Sequence, residues 1–319
     1  MSSSLCFYYP ATINVPSGKY LIHNAYFNGQ TCKSKAITIH IDGTLLAPSD
    51  YNKKSMAFPS ICGGTFDGQG VALWACKNAN KNCPEGTTAL TFYNSNNITM
   101  SGVTVQNSQK LQGMKVLAQG NSPNTDGIHV KLSSGVSIMK SQIGTRDDCI
   151  SIGPGTSNLW IEGIACGPGH GISIGSLGWK QQELGVQNVT VKTVTFSGTT
   201  NGVRVKTWAR PSSGFVRNSL FQHIVMVNVK NPILIDQNYC PNHESCPHQI
   251  SDVTYQDIRG TSATKIAVKL DCSITNPCRG IILEDLNLSY QNQQTKASCV
   301  NARGRVSGLQ KPNNCLFKN

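Results

Sequence analysis

Apolar and polar positions alternate in short runs along this chain, and the runs recur. Asp126-Gly-Ile-His-Val, Asp148-Cys-Ile-Ser-Ile and His170-Gly-Ile-Ser-Ile are three copies of one five-residue pattern, each 22 residues after the last. Asn201-Gly-Val-Arg-Val-Lys, Asn231-Pro-Ile-Leu-Ile-Asp and Thr264-Lys-Ile-Ala-Val-Lys follow at intervals of 30 to 33 residues. Between them lies a second recurring strand, seen in Asn97-Ile-Thr-Met-Ser-Gly-Val-Thr-Val, Gly135-Val-Ser-Ile, Asn158-Leu-Trp-Ile-Glu-Gly-Ile, Asn188-Val-Thr-Val and Ile250-Ser-Asp-Val-Thr. Each repeat therefore holds at least two short strands with Gly, Asn or Ser at the corners. No window sustains a helical period over three turns, and β-branched residues fill the periodic segments, so the chain reads as all-β. One repeat per turn makes it a parallel β-solenoid.

Strand side chains alternate between faces. The rungs accordingly place Ile128, Ile150, Ile172 and Val203 on one face, toward the core, and His129, Ser151, Ser173 and Arg204 on the other. Equivalent residues of successive turns lie about 4.8 Å apart. Asp126, Asp148 and His170 are therefore expected to form a column on one surface, with Asp147 beside it.

No Pro/Ser-rich linker or charge run divides the 319 residues, so residues 1–319 are expected to form one elongated domain. Charged residues are sparse, yet Lys+Arg exceeds Asp+Glu by 28 to 16, a formal net charge of +12 that suits a polyanionic partner. The basic residues are scattered, not clustered with aromatics, which weighs against nucleic acid. No apolar run is long enough to cross a membrane, and a monomer is expected.

Thirteen cysteines without paired C-x-x-C zinc spacing point to disulfides and an exported protein. Cys240/Cys246, Cys272/Cys278 and Cys299/Cys315 are spaced to close short loops, and Cys149/Cys166 to staple adjacent turns. An odd count leaves at least one thiol. Sequons at Asn97, Asn188 and Asn287 point the same way. Met1 to Gly18 hold no basic segment followed by an apolar core, so no export signal is visible.

Asp147 and Asp148 begin a rung after Gly144, where neighbouring carboxylates can face one cleft. Close like charges raise the pKa of one, setting a protonated acid beside an ionised base. That arrangement suits glycosidic bond hydrolysis, in which one carboxyl protonates the leaving oxygen and another activates water. Asp126 and one of the pair are candidates for the base. Asp in solenoid turns more often caps a corner, but several ionisable groups in one register, His170 included, offer no simple stability benefit. Arg204 and Lys206 point from one strand face above the acids and suit a substrate carboxylate. A uronic acid polymer accounts for acids, cations and net charge together.

Asn124-Thr-Asp-Gly-Ile-His, Asp147-Asp-Cys-Ile-Ser-Ile-Gly, Gly169-His-Gly-Ile-Ser-Ile-Gly-Ser and Arg204-Val-Lys resemble, in order, the four signatures of the polygalacturonases of glycoside hydrolase family 28, the plant members most of all. The similarity runs from about Val15 to the C-terminus. It also takes in Gly63-Gly-Thr-Phe-Asp-Gly-Gln-Gly, Asp236-Gln-Asn-Tyr-Cys and Gly260-Thr-Ser-Ala. The resemblance implies a single-stranded right-handed parallel β-helix of the pectin-lyase-like type. It implies extracellular cell-wall pectin as substrate, and inverting hydrolysis of α-1,4 bonds between galacturonate units with no metal or other cofactor. It implies Asp147 as general acid, Asp126 and Asp148 on the water, His170 supporting the acid, and Arg204 with Lys206 on the substrate carboxylate.

Three departures from the family pattern set expectations of their own. Arg146 stands where Gly usually precedes the paired acids, and a cation there would depress the pKa of Asp147. The leading segment with its export signal and cap is expected to be missing. Strands are expected to be absent near Ser55-Met-Ala-Phe and between Gln109 and Leu111. The 38 residues from Thr88 to Asp126, less than two periods of 22, imply a truncated rung beneath the column. The leading expectation is thus an endo- or exo-polygalacturonase. The alternatives are a catalytically weak pectin-binding homologue, a calcium-dependent pectate lyase, which the motif set opposes, and a purely structural solenoid.

Overall fold

A computed structural model describes residues 11–22, 37–46, 60–67, 69, 76, 79, 90–93, 96–106, 126–145, 147–239 and 248–317. The recurring five-residue pattern forms a stack of eight parallel strands: Leu90–Tyr93, Ile128–Lys131, Ile150–Ile152, Ile172–Leu177, Asn201–Thr207, Asn231–Asp236, Ile266–Asp271 and Lys296–Val300. The second recurring strand belongs to a larger sheet of 17 strands. The two sheets wind into a right-handed parallel β-helix. Helical backbone occurs only at Cys76 among the described residues.

Register follows the alternation in the sequence. Ile128 pairs with Ile150, Ile150 with Ile172, Ile172 with Val203, and Val203 with Ile233. All five side chains are fully buried, as are Val130, Ile152, Ile174, Val205 and Ile235 two positions on. Each such aliphatic side chain removed from water contributes about 1.5–3 kcal/mol. These stacked apolar columns hold the rungs in register, because a slip of one residue would turn the whole set outward.

The long strands of the larger sheet bend where residues adopt left-handed backbone. Asn158, Asn188, Asn218 and Asp252 mark one line of bends, and Gly163, Thr193, His223, Asp257 and Asp285 a second. Asn and Asp tolerate this conformation better than most residues. The first line is tied by side-chain bonds, Asn188 Nδ2 donating to Asn158 Oδ1 at 3.0 Å and Asn218 Nδ2 to Asn188 Oδ1 at 3.4 Å.

The expected truncated rung is corrected by the register. Leu90 pairs directly with Ile128 and Tyr93 with Lys131, while Ile98 pairs with Val136 and Thr104 with Gln142. The described strands on either side of the interval are therefore neighbouring turns, so it spans one turn and not a second, shortened one. The expectations at Arg146, Ser55, Gln109 to Leu111 and the Cys240/Cys246 pair lie outside the described residues, as does the side chain of Asn97. The other three disulfides form as the spacing suggests: Cys149–Cys166, Cys272–Cys278 and Cys299–Cys315. Cys62 is the free thiol among the described residues.

Candidate active site

Successive turns bring the start of three rungs together. Gly127 N donates to Asp148 O at 2.9 Å, and Cys149 N donates to Gly171 O at 2.7 Å. Gly171 carries a φ of +89°, and a Cβ there would collide with the carbonyl oxygen of Asn201 on the next turn. Asn201 Nδ2 in turn donates to His170 O at 3.1 Å, fixing the backbone that presents the imidazole. The Cys149–Cys166 bond anchors the residue that follows Asp148.

The column expected from the repeat exists in the backbone, but its side chains turn to different partners. Asp126 Oδ2 accepts from Ser151 Oγ at 2.7 Å, and Ser151 Oγ also lies 2.6 Å from His129 Nδ1. His170 closes on Asp147, with Nδ1 2.8 Å from Oδ1, and not on Asp148. Asp147 Oδ1 further accepts from Asp148 N at 2.8 Å.

Asp148 is the most enclosed of the acids, 1% exposed at its side chain. Its Oδ1 accepts from Ser173 Oγ at 2.8 Å and from Arg204 Nη2 at 2.7 Å, and its Oδ2 accepts from Lys206 Nζ at 2.9 Å. Arg204 Nε also donates to Ser173 Oγ at 2.9 Å. Arg204 and Lys206 thus face the acids as expected, yet each already holds Asp148. Two of the five guanidinium donors and one of the three ammonium donors are used in these bonds, which leaves others for a substrate carboxylate.

The outward column of the rungs, His129, Ser151, Ser173 and Arg204, lies in one register and forms the floor of this site. His129, Ser151 and Ser173 had no role assigned from the sequence, although their alternating position on the rung marks them. Tyr239, in the Asp236-Gln-Asn-Tyr-Cys segment, joins the site with its ring centre 5.6 Å from Lys206 Nζ.

Electrostatics separate Asp126 from Asp148. For Asp148 burial opposes ionisation, but Lys206 and Arg204 outweigh it and hold the pKa down to about 2. Asp126 is pushed well above the usual carboxylate range, first by burial and then by the charges of Asp147 and Asp148. Burial likewise opposes the charge of Arg204 and Lys206, yet the pKa of both is raised, chiefly through Asp148.

Asp147, Asp148 and His170 offer ligand atoms within 4.8 Å of one another, a grouping compatible with a metal ion. The charge of Asp148 is already met by two cations, so a divalent ion would have to displace or oppose Arg204 and Lys206. An acid pair, a histidine and fixed cations beside an ionised carboxylate can move a proton and orient water without one.

The family model for glycosyl hydrolases family 28 matches residues 8–310. The chain belongs to that family. It is therefore a glycoside hydrolase, and its paired acids and cations sit on the turns of a fold the family shares. It is 57% identical over 335 aligned positions to a polygalacturonase of Prunus persica, covering 96% of this chain and 85% of that one. It is 41% identical to an exopolygalacturonase of Platanus acerifolia, covering 95% and 88%. Among solved structures, endo-xylogalacturonan hydrolase from Aspergillus tubingensis superposes with a TM-score of 0.70 at 19% identity, covering 97% of this chain and 91% of that one. The polygalacturonase from Erwinia carotovora gives 0.65 at 23% identity, covering 93% and 89%. These two likenesses bear on the fold.

Proposed function

We propose that this family 28 hydrolase cleaves the α-1,4 bonds of homogalacturonan with inversion, in cell-wall pectin outside the cell. The observation that carries the chemistry is a pair of carboxyls in opposite electrostatic states, Asp126 raised and Asp148 held ionised, beside the Asp147 to His170 contact. The names of the similar proteins supply the substrate class. The disulfides support an oxidising compartment.

In this reading Asp147 gives its proton to the glycosidic oxygen as the C1–O bond breaks, and a water oxygen bonds to C1 from the opposite side. The water's proton passes to Asp126, because a carboxylate with a raised pKa is the stronger base once ionised. Asp148, with its low pKa, stays ionised and orients that water. Arg204 and Lys206 turn their remaining donors to the sugar carboxylate, and His170 holds Asp147 in place.

The oxygens of Asp147 and Asp148 approach within 4.8 Å. Two-carboxylate inverting sites usually separate the groups by roughly 6.5–9.5 Å. That closeness alone suits direct attack by a carboxylate. Asp148, however, has three donors on its two oxygens and a low pKa, which makes it a poor nucleophile. Water held with the help of Asp126 fits better. Proton NMR of the first product formed from polygalacturonate tests this: inversion gives the β anomer first, and an initial α anomer would remove the mechanism. The pectin-binding alternative, which Arg146 and the strands expected to be absent would favour, predicts retention on pectate with no release of reducing ends.

A further inference from the structure

A line of aromatic and cationic side chains leaves the acid cluster at the C-terminal end of the short-strand sheet. It starts at Lys206, whose Nζ lies 5.6 Å from the centre of the Tyr239 ring, and continues to Trp208, 5.4 Å from Tyr239 between ring centres. Trp208 meets Trp179 edge-on at 5.8 Å. Arg210 Cζ lies 4.7 Å from the centre of Trp179 and 5.6 Å from that of Trp208. These residues follow three successive rungs, Trp179 after Ile172–Leu177, Trp208 and Arg210 after Asn201–Thr207, and Tyr239 after Asn231–Asp236. The line therefore runs back along the helix axis, from the turn of Tyr239 to the turn that also carries His170, at the opposite end of the strands from the acids.

We infer that Trp179 and Arg210 form a further galacturonate-binding position on this line. The inference rests on the galacturonan reading above and names residues that the catalytic set does not use.

Trp179 is 47% exposed while Trp208 is 5% exposed, so the line ends in an aromatic surface open to solvent. The backbone that delivers Trp179 is fixed. Gly178, at a φ of +88°, donates its N–H to the Glu183 carboxylate, and buried His248 packs where any Cβ would stand. The Arg210 side chain makes no hydrogen bond or ion pair among the described residues. A guanidinium over indole rings is held through its π face and keeps its edge donors, in a fork that matches a planar carboxylate. A galacturonate unit has both complements, an apolar C–H face for the indole and a carboxylate for the guanidinium. A neutral sugar would meet only half of this surface.

The test uses Asp147→Asn as the binding parent and calorimetric titration with galacturonate oligomers of increasing length. Trp179→Ala and Arg210→Gln, each in that parent, are expected to weaken the longer oligomers about tenfold, some 1.4 kcal/mol. The gain in affinity at one added sugar should vanish, so the ratio of long-chain to short-chain affinity falls. Trp160→Ala removes an exposed tryptophan on the other sheet and should leave that ratio unchanged. Arg210→Gln keeps most of the side-chain volume, so it carries the test alone if Trp179→Ala fails to fold. Equal affinity of parent and variants at every length would overturn the inference, as would an equal loss at every length with the parent's melting temperature. Failure of the galacturonan reading looks different, because the parent itself would then bind no oligomer, and the inference would fall with it.

Discussion

Arg204 reaches across two turns of the helix to Asp148, setting Nη2 2.7 Å from Oδ1 with both side chains buried. Lys206, two residues on, takes the other oxygen at 2.9 Å. A buried ion group is tolerated when its charges and hydrogen bonds are mutually met, and breaking it strands a charge. The same contacts that let Asp148 stay ionised also hold the two cations in place, so the site arrives charged before anything binds.

Asp148→Asn leaves Arg204 and Lys206 without their counter-charge. Unfolding in denaturant should show a loss of about 3 kcal/mol. Arg204→Ala should cost a similar amount, and the double variant less than the sum by at least about 1 kcal/mol. Simple additivity would contradict the coupling.

Ser151 donates to Asp126 and so favours its ionised form. Ser151→Ala removes that bond and raises the Asp126 pKa further. If Asp126 must be ionised to take the water's proton, activity falls as pH drops through that pKa. The acid limb of kcat/KM against pH should therefore move to higher pH in Ser151→Ala, by up to about one unit. An unmoved limb would take Asp126 out of the base role.

The core was legible because period 2 within a rung and a constant interval between rungs leave little choice. Ile128, Ile150 and Ile172 stack as their spacing requires. The outward set His129, Ser151, Ser173 and Arg204 was legible for the same reason. Bonding within the site was not. The repeat places His170 in register above Asp148, but adjacent Asp147 and Asp148 part ways, one to the imidazole and one to the buried cations. Which way each turns depends on charges 56 residues away, and no local pattern carries that. The supposed truncated rung failed on similar grounds. Residue counts do not separate one long turn from two shortened ones, whereas the pairing of Leu90 with Ile128 does.

Cys149 and Cys166 close a segment of 17 residues beside the acids. Replacing both with Ala should lower stability by about 3 kcal/mol, as loop-closure entropy is returned to the unfolded chain. Calorimetric melting checks this, and an unchanged Tm would show that the bond adds nothing to the packing of the rungs.

Burial holds the His248 pKa down to about 4, against 6.5 in the unfolded chain. Between those values the unfolded state binds a proton that the native state does not. Stability from this group is therefore complete above about pH 6.5 and lost as pH falls toward 4, by at most about 3 kcal/mol. His248→Gln should flatten the dependence of Tm on pH in that window. An unaltered slope would assign it to other groups.

The central claim is that the carboxyls beside His170 and Arg204 hydrolyse polygalacturonate, with Asp147 supplying the proton. Reducing ends released from polygalacturonate by the unaltered protein and by Asp147→Asn measure it directly. The account predicts steady release by the former and a fall of at least about a hundredfold in the latter, with Tm retained. Equal release by the two would contradict it.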